Sequence, residues 1–173
     1  MKRGSIKWIT VHAMLLALAL ALSIAESFIP FGIPGAKLGL ANLVILIVMH
    51  FYGFFSALLI NVLRVLIASL ATGTFLGMGF VMSLSGAMAS FLLMYVAHRW
   101  VKIFTPVGVS ILGAYSHSLA QILVAVIYYG TWGVFYYFPL MALISLATGT
   151  INGFAVELLV NNRSLQRAME LKR

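Results

Sequence analysis

Arg64 lies inside the apolar run 54–71, with Asn61 one helical turn before it. On insertion scales a guanidinium placed in hydrocarbon costs at least about 2–3 kcal/mol, so it needs a compensating partner. Two partners are chemically reasonable: the backbone carbonyls of a broken helix, or a bound anion that meets the planar donor fork. At helical spacing its face reads Ala57, Ile60, Asn61, Arg64, Ala68 and Ala71, small enough for a neighbouring helix to approach closely. A second polar face runs through Ala114, His117 and Gln121, again at one-turn spacing. Ser145, Thr148 and Asn152 mark a third run, and Ser83, Gly86 and Ser90 a fourth; such Ser and Thr commonly serve helix packing alone. Glu26, Lys37 and Asn42 flank a loop with two prolines, where Glu26 and Lys37 either pair with each other or present charge to an incoming ligand.

Together Lys37, Asn42, Asn61, Arg64, His117, Gln121 and Thr148, with Glu26 at the rim, form a cluster of net positive sign. That sign favours a small anionic or strongly polar molecule. The cluster reads as binding rather than catalytic, because one carboxylate is near and no nucleophile–base pair is evident. A proton relay through Glu26 and His117 has no sequence pattern behind it.

The elements that must position these groups follow from composition. Of 173 residues, 63% are hydrophobic and 8% charged, with 11 Lys/Arg against 3 acidic residues, all of them Glu. A soluble domain carries about 25% charged residues, so this chain cannot solvate a globular surface. Disorder is excluded for the opposite reason, since it requires low hydrophobicity. The expectation is an all-α integral membrane bundle, a single transmembrane domain over residues 1–173. At about 20 residues per span, at most about six helices fit.

The missing residue types bound the chemistry as well. Without Cys there is no disulfide, thiolate metal site or cysteine nucleophile. Without Asp there is no Asp-rich magnesium–diphosphate clamp, and three scattered Glu are few for a metal-dependent transferase. No phosphate-binding GxxxxGK[ST] loop is present. No cofactor or metal site is expected, and the net charge of +8 suits an anionic lipid surface better than nucleic acid.

Six apolar segments are expected at about 8–29, 38–52, 54–71, 75–97, 108–128 and 138–160, broken where Pro and Gly cluster. The first follows Lys2, Arg3 and Lys7 as a signal peptide would, but further spans follow at once, so it reads as a retained helix. Six spans place both termini on one side, together with Lys2, Arg3, Lys7, Arg99, Lys102, Arg163, Arg167, Lys172 and Arg173. Lys37 stands alone on the other side. The positive-inside rule then puts both termini in the cytoplasm of a cell-membrane protein, with 161–173 as a basic interfacial tail. Aromatic residues from Tyr128 to Phe138 read as an interfacial belt or as a partial cover for the site. Ala13, Ala17 and Ala21, with Ala25 one turn on, make a flat strip on the first span. It serves either packing within the bundle or docking on a partner membrane protein.

The stretch Gly32 to Asn42, containing Pro34-Gly35-Ala36-Lys37-Leu38-Gly39-Leu40-Ala41-Asn42, resembles the PGxKLGLAN signature of the Gx transporter family. That family is also described as heptaprenyl diphosphate synthase component I. Arg64 with Ala68-Ser69 and Gly73-Thr74-Phe75 is similar to its R…GTF segment, and Ser110 to Gln121 to its SILGAxxHxxxQ segment. The resemblance covers most of residues 8–160.

This family in turn resembles the substrate-binding components of energy-coupling factor transporters. These are six-helix proteins whose first helix carries an alanine motif that contacts a coupling subunit, and Ala13, Ala17 and Ala21 stand in that position here. The resemblance implies capture of a small molecule from outside, beneath the loop joining spans one and two, with import driven by partner ATPase subunits. The synthase description implies at most an accessory role, because prenyl chain elongation uses two Asp-rich magnesium sites.

Overall fold

The computed structural model describes residues 6–29, 37–100 and 104–162. Within them the chain forms six α-helices: α1 Ile6–Ser27, α2 Asn42–Tyr52, α3 Phe54–Ala71, α4 Met78–Trp100, α5 Pro106–Tyr129 and α6 Phe138–Asn161. A 3-10 helix, Trp132–Tyr137, leads into α6. The described residues contain no strand. Five of the helices are long and apolar enough to cross a membrane, and α2 is shorter. The expected all-α bundle of about six helices is therefore the observed fold. The expected basic tail from Arg163 onward lies outside the described residues.

Helix α2 is the centre of the bundle and touches all five other helices. Its residues Val44 to Met49 are all buried, as befits a helix that is apolar on every side. Its 11 residues rise only about 16 Å at ~1.5 Å each, roughly half of a hydrocarbon core about 30 Å thick. The span expected at 38–52 thus becomes helical only from Asn42, and residues 37–41 enter as irregular backbone. Gly39 explains the change: its φ of +80° is left-handed, and its carbonyl accepts from the Asn42 amide at 3.0 Å to start the turn into α2.

Other boundaries moved for equally local reasons. Pro106, expected within a break, occupies the first turn of α5, where its missing N–H costs nothing and Thr105 caps the helix. α4 starts at Met78 rather than 75, because a turn from Thr74 to Gly77 comes first. Around α2 an apolar core forms from Ala57, Ile60, Phe91, Met94, Val109 and Val156. A smaller one joins Met82, Ile122, Ala125, Val126 and Met141 among α4, α5 and α6.

Candidate functional site

Nonpolar helices can bury polar side chains only where those side chains find partners, because hydrocarbon offers none. Glu26, Asn42, Asn61, Arg64, His117 and Gln121 are each at most 2% exposed, and they come from four separate helices, α1, α2, α3 and α5. Arg64 is the hub. Its Nε donates to Asn61 Oδ1 at 3.1 Å, Nη1 to Ser23 Oγ at 3.1 Å and Nη2 to Asn42 Oδ1 at 3.1 Å. One guanidinium therefore ties α1, α2 and α3 together. α4 joins through Asn61 Nδ2, which donates to the Ala87 carbonyl at 2.9 Å, and through Ser90, which donates to Asn42 Oδ1 at 3.3 Å. All three Arg64 acceptors are neutral, and the opposing charge that acts on it through space is Glu26.

The irregular segment before α2 is held by the other helices. The Leu40 amide donates to Glu26 Oε1 from α1, and the Lys37 amide donates to Gln121 Oε1 from α5 at 3.1 Å. Asn152 Nδ2 of α6 donates to the Gly39 carbonyl at 3.4 Å. Non-helical backbone at membrane depth is tolerated when protein groups satisfy it in this way. Lys37 itself is half-buried. Burial pushes its ammonium below the usual lysine range, the nearby Glu26 carboxylate works against that shift, and Arg64 adds to it.

This network fixes the direction of two amides. Asn42 Oδ1 is taken by Arg64 and Ser90, and Gln121 Oε1 by Lys37, so each side chain turns its NH2 away from those partners. Asn42 Nδ2 and Gln121 Nε2 then have no hydrogen-bond partner. Both ring nitrogens of His117 and Glu26 Oε2 also lack a partner of full hydrogen-bond geometry, although the Gly86 backbone lies against the His117 ring and the Gly39 backbone against the Glu26 carboxylate. Seven buried side-chain atoms lack a partner among the described residues, and five of them belong to these four residues. Natural interiors leave few such atoms, each about 1–3 kcal/mol unfavourable. Their concentration in one place singles this region out among the buried polar groups of the described residues.

Two glycines set the room around it. A Cβ on Gly39 would stand 2.7 Å from Asn42 Nδ2 and 3.5 Å from His117 Cγ. One on Gly86 of α4 would stand 2.9 Å from His117 Nε2 and 3.0 Å from Gln121 Cγ. His117 and Gln121 thus lie against bare α4 backbone, while His117 and Asn42 flank the Gly39 turn.

Seven of the eight expected site residues take part in this arrangement. Thr148 does not: its hydroxyl donates to the Ile144 and Ser145 carbonyls of its own helix, at 3.0 and 3.3 Å. The aromatic cover is not supported either, because Tyr128, Trp132 and Tyr136 are well exposed and line at most a shallow surface cleft. Ala13, Ala17 and Ala21 all face outward on α1 and are not used for packing within the bundle. Sequence reasoning missed Ser23 and undervalued Ser90, Asn152 and Gly86. For Ser23 a signal existed, since it sits one turn before Glu26 on the face of α1 that also carries His12 and Ala19. Among the described residues no group of three or more His, Asp or Glu is placed to hold a metal ion.

A family model described as heptaprenyl diphosphate synthase component I matches residues 15–159, which include every residue of this network. No curated protein matches the chain, and no solved structure does.

Proposed function

From the premise that the chain belongs to the heptaprenyl diphosphate synthase component I family, a family of membrane proteins by its helices, we propose that it is the substrate-binding subunit of an energy-coupling factor-like importer. Its cargo is a small polar or anionic molecule. The observation that supports this reading is the set of unpartnered buried atoms on Glu26 of α1, Asn42 of α2, and His117 and Gln121 of α5, bordered by the Lys37–Ala41 segment. A purely structural network would close on itself, as Arg64, Asn61 and Ser23 do. Both termini are cytoplasmic in this reading, which puts the Lys37 segment toward the outside as the entrance. The outward strip Ala13, Ala17 and Ala21 docks on a transmembrane coupling subunit, and ATPase subunits supply the energy. This chain performs no catalysis of its own.

The family's description favours a second reading, a non-catalytic accessory subunit of a prenyl diphosphate- or quinone-linked enzyme. Affinity purification from native membranes separates the two. Recovery of a membrane coupling subunit together with ATPases supports import. Recovery of a soluble prenyl transferase in their place sinks the importer reading.

A further inference from the structure

The polar atoms left open at this end of the bundle are two amide nitrogens, the ring nitrogens of His117 and one oxygen of Glu26, and none of them belongs to Arg64. The Arg64 donors that make hydrogen bonds all point at protein oxygens, whereas the amide nitrogens of Asn42 and Gln121 and the ring of His117 have none. Resting on the binding-site reading above, we infer that the ligand is a small monocarboxylate. Its oxygens are met by Asn42 Nδ2, Gln121 Nε2 and the His117 ring, with Arg64 as a positioning residue that does not touch it.

Orientation carries the first part of this inference. An amide can present an acceptor or donors, and here the acceptor end of both amides is consumed by protein donors, so these two side chains offer a ligand only donors. The amide donors select a group with acceptor oxygens, whereas an ammonium, which has none, could be met only by the Glu26 oxygen or the His117 ring. Charge carries the second part. Arg64 and Lys37 against Glu26 leave one positive charge over, which a single carboxylate balances. A diphosphate would bring at least one further buried negative charge without a partner, at the full cost of desolvation. The glycines at 39 and 86 carry the third, since they keep the His117 and Gln121 ends clear of backbone substituents.

The test uses the full chain in lipid nanodiscs with 15N-labelled histidine, the His117 signal being assigned by its loss in His117→Gln. Sodium acetate, inorganic pyrophosphate and methylammonium chloride are titrated separately as minimal probes. The expected result is a saturable shift of the His117 ring signal with acetate and weaker or absent responses to the other two. Two isosteric variants then probe the donors. Asn42→Asp and Gln121→Glu keep the oxygen that Arg64, Ser90 or Lys37 binds but exchange the open donor for an acceptor. Each should weaken the acetate response by about tenfold or more, with the melting temperature of Asn42→Asp not lowered, because its pairing with Arg64 gains charge. Acetate binding unchanged in both variants overturns the donor assignment. A response to pyrophosphate or methylammonium stronger than to acetate overturns the monocarboxylate while leaving the binding-site reading in place. Silence of His117 toward all three probes overturns both.

Discussion

The two ends of α2 lie in the same bundle and are built on opposite rules. Its Asn42 end meets Arg64, Ser90, Glu26-bound backbone and the open atoms of His117 and Gln121. Its Tyr52 end meets rings and aliphatic chains: His12 edge-on to Tyr52 with centroids 4.8 Å apart, Phe54 against Phe91 at 5.0 Å and against Tyr95 at 4.7 Å. There the buried polar atom left without a partner is His12 Nε2, whose Nδ1 already meets the Trp8 carbonyl at 2.9 Å. Inside lipid the driving force between helices is packing and hydrogen bonding rather than removal of apolar surface from water. The aromatic end uses the first and the polar end the second. The aromatic end leaves one such atom and the polar end five, and that concentration sets the polar end apart.

The largest effect is expected from Arg64→Leu. It strands Asn61 Oδ1, leaves Asn42 Oδ1 to Ser90 alone, frees Ser23 and leaves Lys37 as the only basic group acting on the buried Glu26. Loss of one partner of a buried charge pair costs about 3–5 kcal/mol, measured as a fall in unfolding free energy in mixed micelles, and ligand retention should be lost as well. The double variant Arg64→Leu with Glu26→Leu should regain part of that stability but none of the binding. A double variant no more stable than the single would show that Glu26 does not balance Arg64.

Phe91→Ala tests the other end. Phe91 is fully buried against Phe54, and the cavity should cost about 3 kcal/mol. Ligand affinity should stay within about twofold, because its ring contact is at the Tyr52 end. Loss of affinity comparable to that in Arg64→Leu would mean that the two ends are mechanically one. Gly86→Ala should show the converse. The added methyl meets His117 Nε2 and Gln121 Cγ, so overpacking of about 1–3 kcal/mol is offset by about 1 kcal/mol of helix propensity. Stability then moves little while affinity falls about tenfold. A stable Gly86→Ala protein with intact binding would take His117 and Gln121 out of the site.

What the sequence showed of this division follows from what can be read locally. Hydropathy located every long helix, since the membrane requirement acts over about 20 residues at a time. It could not tell α1 from α2 as environments, although both are apolar on all sides. α1 spends much of its surface on lipid, and α2 is enclosed by the other five helices. Arg64, Asn61, His117 and Gln121 were legible because ionisable or amide groups in a span are costly and so conspicuous. Thr148 stands apart from the network because a hydroxyl can satisfy itself on its own helix, which spacing alone does not disclose. Asn152 holding the Gly39 carbonyl is the opposite case: its partner is 113 positions away, and no local pattern announces it.

The smallest and most diagnostic effect concerns Lys37, the one basic group at the polar end outside the helices. Burial holds its ammonium below the usual lysine range, with Arg64 pushing the same way and Glu26 pushing back. A bound anion favours the charged form, so affinity for an anion is full while Lys37 is protonated and falls as pH rises through its lowered pKa. The fall should therefore begin at a lower pH than that of an exposed lysine, whose ordinary value is about 10.4. Lys37→Met should lower affinity a few-fold and flatten the profile, measured by ligand titration at stepped pH. A decline that persists unchanged in Lys37→Met would move the titrating group elsewhere, and the positive charge left over at this end would no longer belong to the binding step.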